Sequence, residues 1–354
     1  MILGLAALNT GAAPVRYAGS TAELTVARVS DRTVEVRLAP LDPNGQPVSA
    51  PASTVLVSFP REVVWRGREL SAPTEVTVAG LRIHLEPSPL TLEVRRADGR
   101  VVQRLVWNVA DGSLSFRTDA PILGLGEGGP QFDRRGRRYP MKDGWGADNR
   151  PVLGSRIAVP FLIGTDGWAL FLHQPQGPEG EFDLRDGKGS FRPGENQRRW
   201  PMDIYLMACD QPGDALAEYV RLTGRPPLPP KWVLGYMQSH RTLAGPDEVW
   251  QVARTFREKK LPCDALIYLG TGYCPAGWNT GHGSLEFNPR TFDRPAENLQ
   301  RLHDLHFKVV LHVNHAPKDL FGASLNEGSD SPTHIGNYWA RHRPAVRLGV
   351  DGWW

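Results

Sequence analysis

Cysteine, charge of one sign and long apolar runs are all scarce in this sequence of 354 residues. Cys209, Cys263 and Cys274 are odd in number and widely spaced, so they form neither a disulfide framework nor a paired-thiol metal pattern. Cys209 closes an apolar run and Cys263 opens one, which predicts buried free thiols. Lys+Arg 41 against Asp+Glu 38 leaves +3, too little for a nucleic-acid or membrane surface. The densest basic cluster, Arg134, Arg135, Arg137 and Arg138, adjoins Asp133 and reads as a solvated, locally paired loop. No run reaches the roughly 20 apolar residues of a membrane helix. Ile2 to Leu8 followed by Gly11-Ala12-Ala13 is similar to the tail of a secretory signal, without its basic leading region. Residues 1–20 are therefore read as a signal remnant or disordered start, with a secreted or periplasmic destination expected and a cytoplasmic one as the alternative. The histidines lack tight zinc spacing, and no GxSxG elbow follows a strand. Neither a metal nor an organic cofactor is expected.

Tryptophan is the surplus, at 11 residues. Flat aromatic side chains fill cores and also stack on apolar ligand faces, and the count alone favours cores. Along the chain, residues 21–225 read as a β-domain. Leu24 and Val26, then Val34, Val36 and Leu38, alternate with polar residues at the period of half-buried strands. Val55 to Val57, Leu81-Ile83-Leu85, Leu92 and Val94, and Val101 to Val109 follow between turn-forming stretches. Many short strands with Gly and Pro punctuation predict an antiparallel β-sandwich. A helix capped by Asp214, with Leu216, Tyr219, Val220 and Thr223 on one face, closes this region at Gly224.

Pro226, Pro227, Pro229 and Pro230 mark the domain boundary, and residues 226–354 change pattern. Trp232 to Gln238, Ala265 to Leu269, Lys308 to Val313 and Gly349 to Trp354 read as strands. A helix capped by Asp247 and another beginning at Pro295 fall between the first three. Strand–helix alternation with near-continuous apolar strands predicts a parallel sheet, either barrel or doubly wound. No Gly-rich phosphate fingerprint follows the first strand, which disfavours a nucleotide fold. About three and a half of the eight units of a (β/α)8 barrel are present.

In a barrel the working residues stand at C-terminal strand ends. Here those are His240 and Arg241, then Thr271, Tyr273 and Trp278, then His312 and Asn314, and finally Trp354. They are rich in hydrogen-bonding and aromatic groups and poor in acids. Asp264 and Asp351 stand at the leading ends of their strands, where stability is the usual role. The glycine-rich stretch Gly124-Leu125-Gly126-Glu127 with Phe132 to Gly136 is either a plain surface loop or a roof over the barrel mouth, with Trp145 nearby.

Taken together, GLGE and FDRRGRRY at 124–139, TGRPPLPPKWVLGYMQSHR at 223–241, EVWQVARTFREKKLPCDALIYL at 248–269, GWNTGHGSLEFNPRTFDRP at 277–295 and GVDGWW at 349–354 resemble glycoside hydrolase family 31. The resemblance runs from about Leu24 to Trp354. It implies an N-terminal antiparallel β-sandwich followed by the first part of a (β/α)8 TIM barrel, up to the start of the fourth strand. It implies a retaining α-glycosidase acting on an oligosaccharide or α-glycoside, with two aspartates as nucleophile and acid/base. The nucleophile is expected two positions beyond Trp354 and the acid/base aspartate later still, so no catalytic carboxylate falls within this chain. His240, Arg241, His312 and Trp354 align with pocket residues. The family's acidic residue after strand two, which reads the glucose 4-hydroxyl, is replaced by Gly270-Thr271-Gly272-Tyr273. That departure implies a glycone other than plain α-glucose. A non-catalytic sugar-binding protein, and an α-transglycosylase or lyase of the same family, remain the alternatives.

Overall fold

The structure, a computed structural model, describes residues 13–128, 131–141, 157–173, 180–240, 243–269, 273, 287–312 and 348–353. The chain divides into two compact units, Met1–Pro226 and Pro227–Trp354.

The first unit contains two eight-stranded sheets in which every pair of strands runs antiparallel. One runs in order from Arg138–Pro140 through Val101–Trp107 and Leu90–Arg96 to Thr74–Val78. The other carries Phe161–Gly164, Trp168–His173, Met202–Ala208, Thr33–Pro40 and Ser20–Arg28 as consecutive neighbours. Alternation explains how they pack. Leu24, Val36, Leu38, Leu170 and Ile204 of the second sheet share one buried cluster with Ile83, Leu92, Leu105 and Phe191 of the first. The intervening residues of the second sheet, among them Phe171, Tyr205 and Met207, point to its other face. There they pack against Ala215 and Leu222 of helix α1, Pro212–Thr223. Both faces of Trp168–His173 are thus buried, which is why that strand reads as an unbroken apolar run. Trp107 and Trp168 are core residues, and Cys209 is a buried free thiol. Burial pushes the Cys209 thiol up to about 12.

Several local expectations are corrected. Asp214 is not the N-cap of α1. Gln211 holds that position and Asp214 is the third helical residue, its carboxylate accepting from the Asp210 and Gln211 N–H groups in a capping box. The buried face of α1 is Ala215, Glu218 and Leu222, with Leu216 left 54% exposed. Buried Glu218 is tolerated because the Ser30 and Thr33 hydroxyls donate to it. Residues Val55 to Val57 form no strand. They lie in an extended strap whose Val57 N–H donates to the Leu222 carbonyl.

The second unit is a four-stranded parallel sheet of β1 (Met237–His240), β2 (Ala265–Tyr268), β3 (Lys308–Leu311) and β4 (Gly352–Trp353). Helix α2, Pro246–Glu258, joins β1 to β2, and α3, Pro295–Asp304, lies between β2 and β3. The strand order follows the sequence with no reversal, the winding of a barrel rather than of a doubly wound sheet. The first strand is shorter than the pattern predicts, because Lys231–Leu234 turns as a 3-10 helix straight after Pro230. Asp247 stands inside the first turn of α2, behind Gly245 as cap, where its charge suits the helix dipole. Val249 and Ala253 of α2 and Leu299 and Leu302 of α3 are buried against Leu266, Tyr268, Val309 and Leu311.

Candidate functional site

Parallel strands deliver their last residues to one end of the sheet, and three of the sequence-selected residues meet there. His240 ends β1, exposed, in register with Tyr268 at the end of β2. His312 follows β3, and its N–H donates to the Tyr268 carbonyl at 3.2 Å. Tyr273 returns to the same place, its hydroxyl donating to the His312 carbonyl at 2.5 Å. Its ring is 5% exposed and packs at 6.0 Å from Tyr268 and 6.1 Å from Phe287. Tyr273 thereby ties the segment after β2 to the end of β3, a bond that residue types alone do not announce. Burial raises the Tyr268 phenol well above its ordinary value, so it stays neutral. Tyr268, Phe287 and Phe292 form an aromatic floor under these strand ends. Arg241, Thr271, Trp278, Asn314 and Trp354 lie outside the described residues, as does Trp145.

The acids at the opposite strand ends serve the fold. Asp351, just before β4, accepts from the Val309 N–H at 2.8 Å, His303 Nε2 at 2.8 Å and Lys308 Nζ at 3.0 Å. Burial by itself raises such a carboxyl. The Val309 N–H, Lys308 and His303 outweigh that and hold it below the ordinary carboxylate range. Asp264 fills the space beside Gly235, where an added Cβ would stand 1.7 Å from the Asp264 Oδ2. Among the described residues no group of three or more His, Cys, Asp or Glu side chains is placed to hold a metal.

The loop at 124–136 has a backbone reason for its glycines. Gly126 adopts φ +81°, and a Cβ there would come within 2.0 Å of the Ile157 carbonyl. Arg134 Nε donates to the Gly124 carbonyl at 2.8 Å. Asp133 is lowered to about 2, chiefly by the Arg135 guanidinium, and also accepts from the Ile122 N–H. Phe132 at the tip is 90% exposed.

One constellation in the first unit went unseen in the sequence. Ser53 Oγ lies 2.8 Å from His173 Nε2, and His173 Nδ1 lies 3.9 Å from Asp203 Oδ2. The spacing imitates a hydrolytic triad, but the surroundings oppose that chemistry. Arg37 already grips Asp203 through two bonds, at 2.6 and 2.7 Å. At 3.9 Å no hydrogen bond orients the imidazole. The Ser53 oxygen accepts from the Val55 and Leu56 N–H groups, which occupies its lone pairs. This row pins the strap at 49–61 to the sheet, helped by Phe59 edge-on to Tyr205 and by the Arg61–Glu35 ion pair. A triad spread over 150 residues without an elbow motif left no signal in the sequence.

Residues 226–327 match the family model for the glycosyl hydrolases family 31 TIM-barrel domain. The α-glucosidase 2 of Bacillus thermoamyloliquefaciens is 49% identical over 260 residues, which is 67% of this chain and 31% of that protein. The α-xylosidase of Saccharolobus solfataricus is 28% identical over 215 residues, 56% of this chain and 28% of the relative. The chain thus spans less than a third of the length of these curated relatives. In fold it is similar to a Flavobacterium johnsoniae dextranase solved with isomaltotriose, at TM-score 0.71 and 19% identity, over 94% of this chain and 45% of that one.

Proposed function

We propose that this chain, which belongs to glycoside hydrolase family 31, forms the sugar-holding front of a retaining exo-α-glycosidase. Its substrate is an oligosaccharide or other α-glycoside. The observation that carries the reading is the convergence of His240, Tyr273 and His312 at the C-terminal ends of consecutive parallel strands. That end is where barrel enzymes do their work. Its polar and aromatic groups suit a ligand made of hydroxyls and apolar ring faces.

In the proposed reaction an aspartate following β4 attacks the anomeric carbon while a second aspartate protonates the leaving oxygen. The second then takes a proton from the water that releases the sugar, and configuration is retained. This chain's share is to bind and orient. His240 and Arg241 after β1, Thr271, Tyr273 and Trp278 after β2, His312 and Asn314 after β3, and Trp354 after β4 would line the glycone pocket. Orientation of this kind can supply several kcal/mol toward the barrier. In this reading the antiparallel sheets of residues 21–225 are the accompanying sandwich.

The test is to join the chain to the reading frame beyond Trp354 and assay nitrophenyl α-glycosides. Release of nitrophenol with the α-anomer as first product supports the proposal. An inverted product, or sugar binding without cleavage, sinks it, and the latter favours a non-catalytic sugar-binding protein. Transfer to a second sugar in place of water identifies a transglycosylase.

A further inference from the structure

On the first unit, a groove of about 880 Å³ opens beside the strand Val101–Trp107 and the turn 165–167. That is within the roughly 300–1,000 Å³ of known ligand pockets. Most of its charged groups are already engaged. Arg96 donates to the Cys209 carbonyl at 2.6 Å and pairs with Asp210 at 3.1 Å, and Arg117 is paired with Asp119. Two make no side-chain hydrogen bond among the described residues. The Arg104 guanidinium is ion-paired with Glu86 at 3.7 Å but donates no hydrogen bond there. The Asp166 carboxylate, contributed by the other sheet, lies within the field of Arg135 but accepts no hydrogen bond among the described residues. One group offers only donors and the other only acceptors.

With Arg96, Arg100 and Arg117 committed to Asp210, Asp98 and Asp119, an anion in this groove would gain Arg104 but meet Asp166, and a simple cation would meet the reverse. A neutral polyol uses both, because each hydroxyl donates and accepts. Val101, half-buried at the groove wall, adds a small apolar surface suited to the C–H face of a sugar ring. We propose that this groove is an auxiliary carbohydrate-binding site, with Arg104 and Asp166 reading sugar hydroxyls away from the barrel. The proposal rests on the glycosidase reading for its ligand class. It assigns the first unit a substrate-holding role of its own.

The test uses the isotopically labelled 354-residue chain and maltotriose, followed by amide shifts of Val102, Arg104 and Gly167. Saturable shifts in the millimolar range are expected, weakened at least about tenfold in an Arg104→Ala/Asp166→Asn double variant. Unchanged spectra elsewhere verify that the variant is folded. Silent groove amides overturn the proposal, as does binding that survives in the double variant. So do larger shifts with glycine, a zwitterion, or with inorganic phosphate. Movement at His312 and Tyr268 with a silent groove leaves the glycosidase reading standing and removes only this site.

Discussion

His303 Nε2 of α3 and Asp351 Oδ2 ahead of β4 stand 2.8 Å apart, and the same carboxylate binds Lys308 and the Val309 N–H of β3. One side chain therefore fastens a helix and two strands together at the end of the sheet away from the candidate site. Asp351→Asn is expected to cost about 2 kcal/mol, since hydrogen bonds to charged groups contribute roughly 1.5–3 kcal/mol. The folded carboxyl is held below its ordinary range. Its stabilisation is therefore present above the unfolded value of about 3.9, and it is lost as pH falls through the folded value. Urea midpoints of the two proteins should converge on acidification below about pH 4, and a gap that stays constant would contradict this role.

Arg37 and Asp203 form an ion pair across adjacent strands of the first unit, with Asp203 only 1% exposed. Burial alone would raise Asp203, yet the Arg37 guanidinium and His173 keep it lowered. Removing the arginine should be costly, about 3–5 kcal/mol for Arg37→Met, because the Asp203 charge stays buried. The Arg37→Met/Asp203→Leu double variant should recover much of that loss in equilibrium unfolding. A double variant as unstable as the single one would show that the pair's geometry, and not its desolvation, dominates.

The Ser53–His173 contact is expected to hold the strap and to do no chemistry. Ser53→Ala should cost about 1 kcal/mol and speed tryptic cleavage at Arg61, with cleavage elsewhere unchanged. The unsubstituted chain should leave nitrophenyl esters and fluorophosphonates untouched. Ser53-dependent labelling would refute the structural role.

Gly126→Ala should lower stability by about 1–3 kcal/mol, the range for a strained backbone position, because the methyl group meets the Ile157 carbonyl at 2.0 Å. Gly45→Ala gives the comparison, since Gly45 shares a positive φ of +75° but has nothing within 4 Å. Denaturant midpoints that fall equally in both would assign the effect to dihedral strain alone.

Residues 1–354 by themselves are expected to show no turnover of nitrophenyl α-glycosides, because the proposed reaction takes both of its carboxylates from beyond Trp354. Detectable hydrolysis lost on heating would overturn that. With the reading frame beyond Trp354 added, the protein is expected to prefer a glycone other than plain α-glucose, because Gly270-Thr271-Gly272-Tyr273 offers no carboxylate to a sugar hydroxyl. Preference for maltose over α-galactosides would reject that specificity.

Much was legible in the sequence because it is local. Period-two alternation at Val34, Val36 and Leu38 marked a strand, and the apolar runs at 265–269 and 308–313 marked parallel strands. The motifs from GLGE to GVDGWW specified the family. What the sequence left open depended on contacts between distant residues. Barrel winding over doubly wound was decided by strand order, a property of which strand lies beside which. The buried face of α1 was decided by the sheet under it, which seats Ala215 and Leu222 and offers hydroxyls to Glu218. Tyr273 illustrates the division most directly. Its position after β2 was readable, whereas the use of its hydroxyl was fixed only when β3 brought the His312 carbonyl within 2.5 Å. Hydrogen bonds between residues 39 apart carry no local pattern, so only the packed chain could assign that one.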